Sequence, residues 1–229
     1  MILNERQNAI LELLKTEERV SVKALSQRFF VSEMTIRRDL KNMEQCGYLQ
    51  RYNGGAVYMG NSSLPVSVRK FTHLKEKKGL IENAKKYLRD FCTVFIDSSS
   101  ICMYIIPLIS EYKNIKIVTN SVQNLLAAAE YHIPCIICGG NYYEKDMCCI
   151  GGLADDFLRK INVDIAFFSS CGISEDGIIS DVDEFQTAIR KIVIQNSEKN
   201  IFFFDKSKYG KKYIYMVCKS DEIDEVIIL

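Results

Sequence analysis

A helical period of apolar residues dominates the first sixty positions of this chain; beyond them short apolar runs alternate with helical patterns. Asn4 followed by Gln7 is a capping pair, and Ala9, Ile10, Leu13 and Leu14 recur at the spacing that shares one helix face. After the polar Thr16-Glu17-Glu18-Arg19, Ser21 is placed to cap a second helix, with Val22, Leu25 and Phe29 at i, i+3 and i+7. Only Phe30 and Val31 separate it from Ser32, a cap for a third helix with Ile36, Leu40 and Met43 inward. Two short helices joined by so tight a turn predict a helix-turn-helix. Gly47 offers a left-handed stop, and residues 48–52, Asn53-Gly54 and residues 55–58 read as a strand, a turn and a strand: a wing.

Residues 59–68, opening Met59-Gly60-Asn61-Ser62-Ser63-Leu64-Pro65, are small, polar and turn-forming, which predicts a linker between a domain over 1–58 and a second over 69–229. Between Arg69 and Arg89 basic residues outnumber acids on a predicted helix with Ile81, Ala84 and Leu88 inward, a solvated face or an added phosphate contact. Apolar runs at 93–96, 115–118, 133–138, 163–168, 201–204 and 213–218 read as strands, with helices at 121–130, 154–161 and 184–197 between them. That alternation predicts an α/β domain with a largely parallel sheet covered on both faces.

Composition adds bounds. A hydrophobic content of 48% supports a full core, and a net charge of +1 leaves room for a local basic face. Nine Cys without a secretory leader pattern suggest reduced thiols in the cytoplasm. No apolar run is long enough to span a bilayer, so a soluble protein with no membrane partner is expected. Cys135-x-x-Cys138 lies in an apolar run without a second ligand pair, and adjacent Cys148 and Cys149 read as small core residues, a thiol switch being the other reading. Neither a metal nor a cofactor is expected.

The candidate chemistry lies in two places. At ~100° per residue, a third helix with Ile36 inward turns Met34, Arg37, Arg38 and Lys41 outward. A basic stripe of this size suits the major groove, with Thr35 near the helix start able to reach a phosphate or a base and Arg51 on the wing. A merely solvated charged face is the alternative on spacing alone. In the second domain, strand ends carry Asp97-Ser98-Ser99-Ser100, Thr119-Asn120, Gly139-Gly140 and Asp205 with Lys208, on the rim where parallel sheets bind ligands. Hydroxyls, free N–H groups and a lysine there suit a phosphorylated ligand, although each alone also reads as a cap or turn.

The ordered segments Ile10-Leu11-Glu12-Leu13-Leu14, Val20 to Leu25, Val31-Ser32-Glu33-Met34-Thr35-Ile36-Arg37-Arg38-Asp39-Leu40 and Gly54-Gly55-Ala56-Val57 resemble the DNA-binding domain of the DeoR family of bacterial repressors. The resemblance implies that Thr35, Arg37 and Arg38 contact DNA, with Ser32 at the start of the recognition helix. Asn53 stands where the family usually has His. The rim residues, with Gly151, Asp164-x-Ala166-Phe167 and Asp205-x-Ser207-Lys208-x-Gly210, resemble the family's sensor domain, which is similar in fold to ribose-phosphate isomerase and commonly binds phosphorylated sugars. Glu184 sits where the family often has an acid; Ser99 replaces a usual Gly and Ile101 a usual Thr.

Together these readings predict a sequence-specific repressor of sugar or related metabolism genes that binds duplex operator DNA and is relieved by a phosphorylated sugar. Since one short recognition helix gives little selectivity, a homo-oligomer is expected. The competing classes are a sugar-phosphate isomerase using Asp97, Glu184 and Lys208, and a regulator whose sensor pocket is vestigial and serves oligomerisation.

Overall fold

The computed structural model describes residues 3–17, 19–45, 48–58, 66–69, 77, 79 and 81–228. It divides into two compact units, Met1–Arg69 and Lys70–Leu229.

In the first unit, helix α1 (Glu5–Glu17) opens with a reciprocal capping box: Gln7 N donates to Asn4 Oδ1 at 2.9 Å, and Asn4 N to Gln7 Oε1 at 3.2 Å. Its buried face is Gln7, Ile10, Leu11 and Leu14, whereas Ala9 is exposed and Leu13 half-buried, a rotation relative to the face expected from spacing. Buried Asp39 is the reason. It accepts from Gln7 Nε2 at 3.1 Å and from Arg6 Nε at 2.6 Å, drawing the polar start of α1 inward. Helix α2 (Val22–Phe29) is capped by Ser21, whose side chain accepts from Ala24 N at 3.1 Å. Phe30 then takes the left-handed conformation at φ 54°, and Ser26 Oγ donates across the turn to Val31 O at 2.6 Å, closing it onto helix α3 (Glu33–Gln45). Ile36, Leu40 and Met43 are buried, as their spacing requires.

Strand β1 (Arg19–Ser21) falls in the stretch expected to be a polar connection. It joins β2 (Gln50–Tyr52) and β3 (Gly55–Val57) in an antiparallel sheet of order β1-β3-β2. Its one inward residue, Val20, is too short a signal for periodicity to register. Gly54 turns the wing at φ +99°, and a Cβ on Gly55 would collide with Val20 O, so the close crossing of β1 and β3 needs glycine. The stop expected at Gly47 and the linker positions 59–65 lie outside the described residues; Val66–Arg69 form a helical turn.

The second unit is built on six parallel strands: β4 (Thr93–Ile96), β5 (Lys116–Thr119), β6 (Cys135–Ile137), β9 (Val163–Phe168), β12 (Ser197–Phe204) and β14 (Glu225–Ile228), in the order β14-β12-β9-β4-β5-β6. Between β6 and β9 a hairpin of β7 (Asn141–Tyr143) and β8 (Cys148–Ile150) is inserted. Ile96, Phe167 and Phe203 pack on one face of the sheet, and Phe95, Phe168 and Phe202 on the other. Because both faces are buried, these strands read as unbroken apolar runs. Ring pairs Phe167–Phe203 at 5.8 Å and Phe168–Phe202 at 4.9 Å bind neighbouring strands face by face.

Helices α4 (Val122–Glu130), α5 (Gly152–Leu158) and α6 (Glu184–Gln195) cover the sheet; Ser121 caps α4 and Asp183 caps α6. Ile81, Ala84 and Leu88 are buried against the same core. One apolar run behaves differently from its neighbours: β13 (Tyr215–Lys219) pairs antiparallel with β11 (Ile178–Asp181), which pairs with β10 (Gly172–Ile173), in a separate small sheet. The sixth parallel strand is β14, an edge strand whose half-buried pattern carries a weaker apolar signal. Among the described residues no helix is long and apolar enough to cross a membrane.

Candidate functional site

Helix α3 presents Met34, Arg37, Arg38 and Lys41 to solvent, with Thr35 half-buried at its start. Ser32 Oγ accepts from Thr35 N at 3.2 Å and lies 3.0 Å from Thr35 Oγ1, so two of the predicted contacts form the helix cap itself. Arg37 Nη2 sits 3.1 Å from Glu33 Oε2 one turn back; both side chains are about half exposed, and such a pair is weak enough to exchange for a stronger anion. Among the described residues Arg38 and Lys41 carry no ion pair. Arg51 differs: its Nε donates to Glu44 Oε2 at 2.7 Å and its backbone N to Glu44 Oε1 at 2.8 Å. Those bonds, the backbone one first, hold the Glu44 carboxyl below its ordinary value and tie the wing to α3. The acid of the Arg37-Arg38-Asp39 run points the other way, into the core, which leaves the outward stripe cationic.

In the second unit the predicted rim residues do gather at the carboxyl ends of the strands, but most are buried and engaged with one another. Asp97 Oδ1 accepts from Ser99 N at 2.5 Å, and its Oδ2 from Arg190 Nε at 2.9 Å. Arg190 Nη1 continues to Asp181 Oδ2 at 2.8 Å, where Ser170 Oγ also donates at 2.9 Å. Burial pushes the Asp181 carboxyl up, but Arg190, Ser170 and Cys171 outweigh it and hold the group below its ordinary value. Burial likewise works against the Arg190 charge, and the two carboxylates more than restore it.

Thr119 Oγ1 donates to Ile96 O at 2.6 Å and accepts from Asn124 Nδ2 at 3.1 Å, stitching the ends of β5 and β4 together. Ser98 Oγ donates to Gln186 Oε1 at 3.1 Å, and Asn120 Nδ2 lies 3.4 Å from the same oxygen. Ser100 Oγ accepts from Lys77 Nζ at 3.0 Å, and Lys208 Nζ donates to Ser169 Oγ at 2.8 Å. These two ammonium groups meet hydroxyls beyond the ends of adjacent strands β4 and β9. Asp205 caps the turn that carries Lys208, accepting from Ser207 N at 3.1 Å.

Gly139 and Gly140 are exposed at φ +71° and +108°; a Cβ on Gly140 would come 2.7 Å from Ile150 O, so its bareness serves the passage of the chain over β8. Glu184 is exposed in the first turn of α6 and has no hydrogen bond to the rim among the described residues. The residues that sequence reasoning missed are Lys77, Ser169, Asp181, Gln186 and Arg190. Gln186 and Arg190 left a trace: they stand at i and i+4 inside the buried stripe that Ile189, Ile192 and Val193 define on α6. Among the described residues no three His, Cys, Asp or Glu side chains gather to hold a metal ion, and burial pushes Cys135 up to about 11 and Cys138 up to about 12.

A winged helix-turn-helix with an outward basic stripe, joined to a parallel α/β unit with polar groups at its strand ends, defines a DNA-binding transcriptional regulator with a sensor unit. Family models agree on both parts: residues 6–61 match the DeoR-like helix-turn-helix domain, and residues 72–228 match the DeoR C terminal sensor domain. The chain belongs to the DeoR family. It is 30% identical over 230 residues to the uncharacterized HTH-type transcriptional regulator YulB of Bacillus subtilis (strain 168), covering 99% of this chain and 89% of that one. Identity is 28% to the glycerol-3-phosphate regulon repressor of Escherichia coli (strain K12), over 97% of this chain and 89% of the relative. It is 27% to the L-fucose operon activator of the same organism, over 97% and 93%. Among solved structures, a D-ribose-5-phosphate isomerase in complex with phospho-erythronic acid matches 59% of this chain and 54% of its own at 19% identity, with a TM-score of 0.45.

Proposed function

We propose that this regulator is an operator-binding repressor of sugar or related metabolism genes, released from DNA by a phosphorylated sugar. The DNA contacts are assigned to Arg37, Arg38 and Lys41, with Ser32 and Thr35 at the helix start and Arg51 on the wing. The effector is assigned to the rim of Asp97, Ser98, Ser99, Ser100, Thr119, Asn120, Gly139, Gly140, Asp205 and Lys208, with Lys77 added and Glu184 at its margin. One observation carries the effector reading: Lys77 and Lys208 donate to Ser100 and Ser169 at neighbouring strand ends, so cationic and hydroxyl donors are assembled where an anion would bind. The relative named as a glycerol-3-phosphate regulon repressor supports repression as the sense of control.

Binding without turnover is the reading favoured over an isomerase. Both Asp97 carboxylate oxygens are engaged, by Arg190 and by Ser99 N–H, and Glu184 is exposed and apart from it in bonding. The protein acts in the cytoplasm as a homo-oligomer, because repeated half-sites supply the selectivity one recognition helix lacks.

Selection of DNA from a random duplex pool, followed by affinity measurements with and without a panel of pentose, hexose and triose phosphates, tests the whole reading. A selected sequence whose affinity falls at least fivefold with one compound, left chemically unchanged, is expected. Absence of a selected sequence, or conversion of the compound, sinks it.

A further inference from the structure

The carboxamide of Gln186 sits at the middle of the strand-end cluster. It projects from the first turn of α6 and is buried. Its oxygen accepts from Ser98 Oγ at 3.1 Å and faces Asn120 Nδ2 at 3.4 Å, while its nitrogen donates to Cys148 Sγ at 2.9 Å. In this arrangement Asn120 presents its nitrogen to Gln186 Oε1 and directs its own oxygen elsewhere.

That oxygen is buried, on a side chain with no solvent exposure, and has no hydrogen-bond partner among the described residues. Buried acceptors are nearly always paired, so the missing element is a donor. The neighbouring hydroxyls are engaged elsewhere, Ser98 Oγ with Gln186 and Thr119 Oγ1 with Ile96 O. The Asn120 backbone carbonyl accepts from Cys149 N at 2.7 Å, so the unpaired acceptor is the side-chain oxygen.

We propose that Gln186 and Asn120 set the specificity of the effector site: Gln186 holds Asn120 in place, and Asn120 Oδ1 accepts a hydrogen bond from a ligand hydroxyl. A polyhydroxylated phosphate then satisfies both the cationic donors and the empty acceptor, whereas a bare or alkyl phosphate leaves the acceptor unpaired. The inference rests on the effector reading above and names the side chains that recognise the hydroxyl-bearing part of that ligand.

Calorimetry on the full-length protein with glycerol 3-phosphate, ribose 5-phosphate and fructose 6-phosphate, set against n-propyl phosphate and inorganic phosphate, tests it. The best hydroxylated ester should bind at least about tenfold more tightly than n-propyl phosphate, because a site built around a hydroxyl rejects the analogue lacking it. Asn120→Ala should bring that ratio to within about twofold, and Gln186→Ala should shrink it by freeing Asn120. Equal affinity of the wild-type protein for the best hydroxylated ester and for n-propyl phosphate overturns the inference, in a comparison that no folding defect affects. An undiminished preference in folded Asn120→Ala does the same. Heat from none of the compounds overturns the effector reading itself, whereas tight but indiscriminate binding of all phosphates overturns only the role of Gln186 and Asn120.

Discussion

The guanidinium of Arg190 donates from Nε to Asp97 at 2.9 Å, joining helix α6 to the loop after β4 across 93 positions of sequence. Its Nη1 reaches Asp181 at 2.8 Å, and all three side chains are almost fully buried. One cation therefore serves two carboxylates, and each carboxylate also organises a loop: Asp97 through Ser99 N–H, Asp181 through Ser170 and the Val182 N–H at 2.8 Å. The geometry of the strand-end rim depends on this network.

Arg190→Met should be severely destabilising, since it leaves two buried carboxylates without their cation. Breaking a buried pair in this way costs about 3–5 kcal/mol, which in a chain of this size lowers Tm by roughly 10 °C. Arg89→Ala removes an exposed arginine paired with Asp164 at 2.8 Å and should cost less than about 1 kcal/mol. Differential scanning calorimetry of both variants separates the cases; an Arg190→Met protein melting within 2 °C of the Arg89→Ala protein would contradict the assignment.

The same network makes the fold acid-sensitive. Asp181 has a folded value below its ordinary 3.8, so its contribution is fully present above the unfolded value and is lost as pH falls through the lowered folded value. Urea midpoints measured from pH 6 downwards should therefore decline below about pH 4, and decline less steeply in Asp181→Asn, which starts lower. Parallel curves for the two proteins would show that Asp181 is not a source of the acid loss.

On α3, Arg38→Ala removes an exposed cation that has no ion-pair partner among the described residues, and loss of a base contact should weaken operator binding by ~1–3 kcal/mol. Arg37→Ala should have a similar or smaller effect, part of its charge being shared with Glu33 at 3.1 Å. Titrations at several salt concentrations distinguish the roles: a phosphate contact lowers the salt slope, a base contact relaxes sequence preference. Unchanged affinity and slope in both variants would remove α3 from the interface.

Lys208→Ala should leave binding to DNA in the absence of effector near the parental value and diminish release by effector, because Lys208 belongs to the sensor rim and donates to Ser169 at 2.8 Å. With a typical coupling free energy of ~1–3 kcal/mol, the parental protein should change operator affinity by roughly 5- to 150-fold on saturation. Electrophoretic mobility shifts with increasing effector read this directly. A Lys208→Ala protein released at the same concentrations as the parent would place the anion elsewhere.

The chain order alone determined the helix-turn-helix, the outward basic stripe and the presence of a two-faced parallel sheet, because each is written in a local period. Ile36, Leu40 and Met43 orient α3 whatever surrounds it, and strands such as β4 and β9 announce burial on both faces by lacking polar alternation. Strand ends, and with them Asp97, Ser98 and Asn120, were legible for the same reason. Tertiary structure decided what those ends do. Arg190 and Gln186 lie on a helix far along the chain, and only the strand order β12-β9-β4-β5 sets α6 beside the loops after β4 and β5, 93 and 66 positions away. The rotation of α1 is a smaller case, where Asp39, 32 positions from Gln7, decides which face turns inward. A period in sequence specifies a buried face, but the partner of a buried charge or amide is chosen by which segments the topology makes neighbours, and that choice is not local.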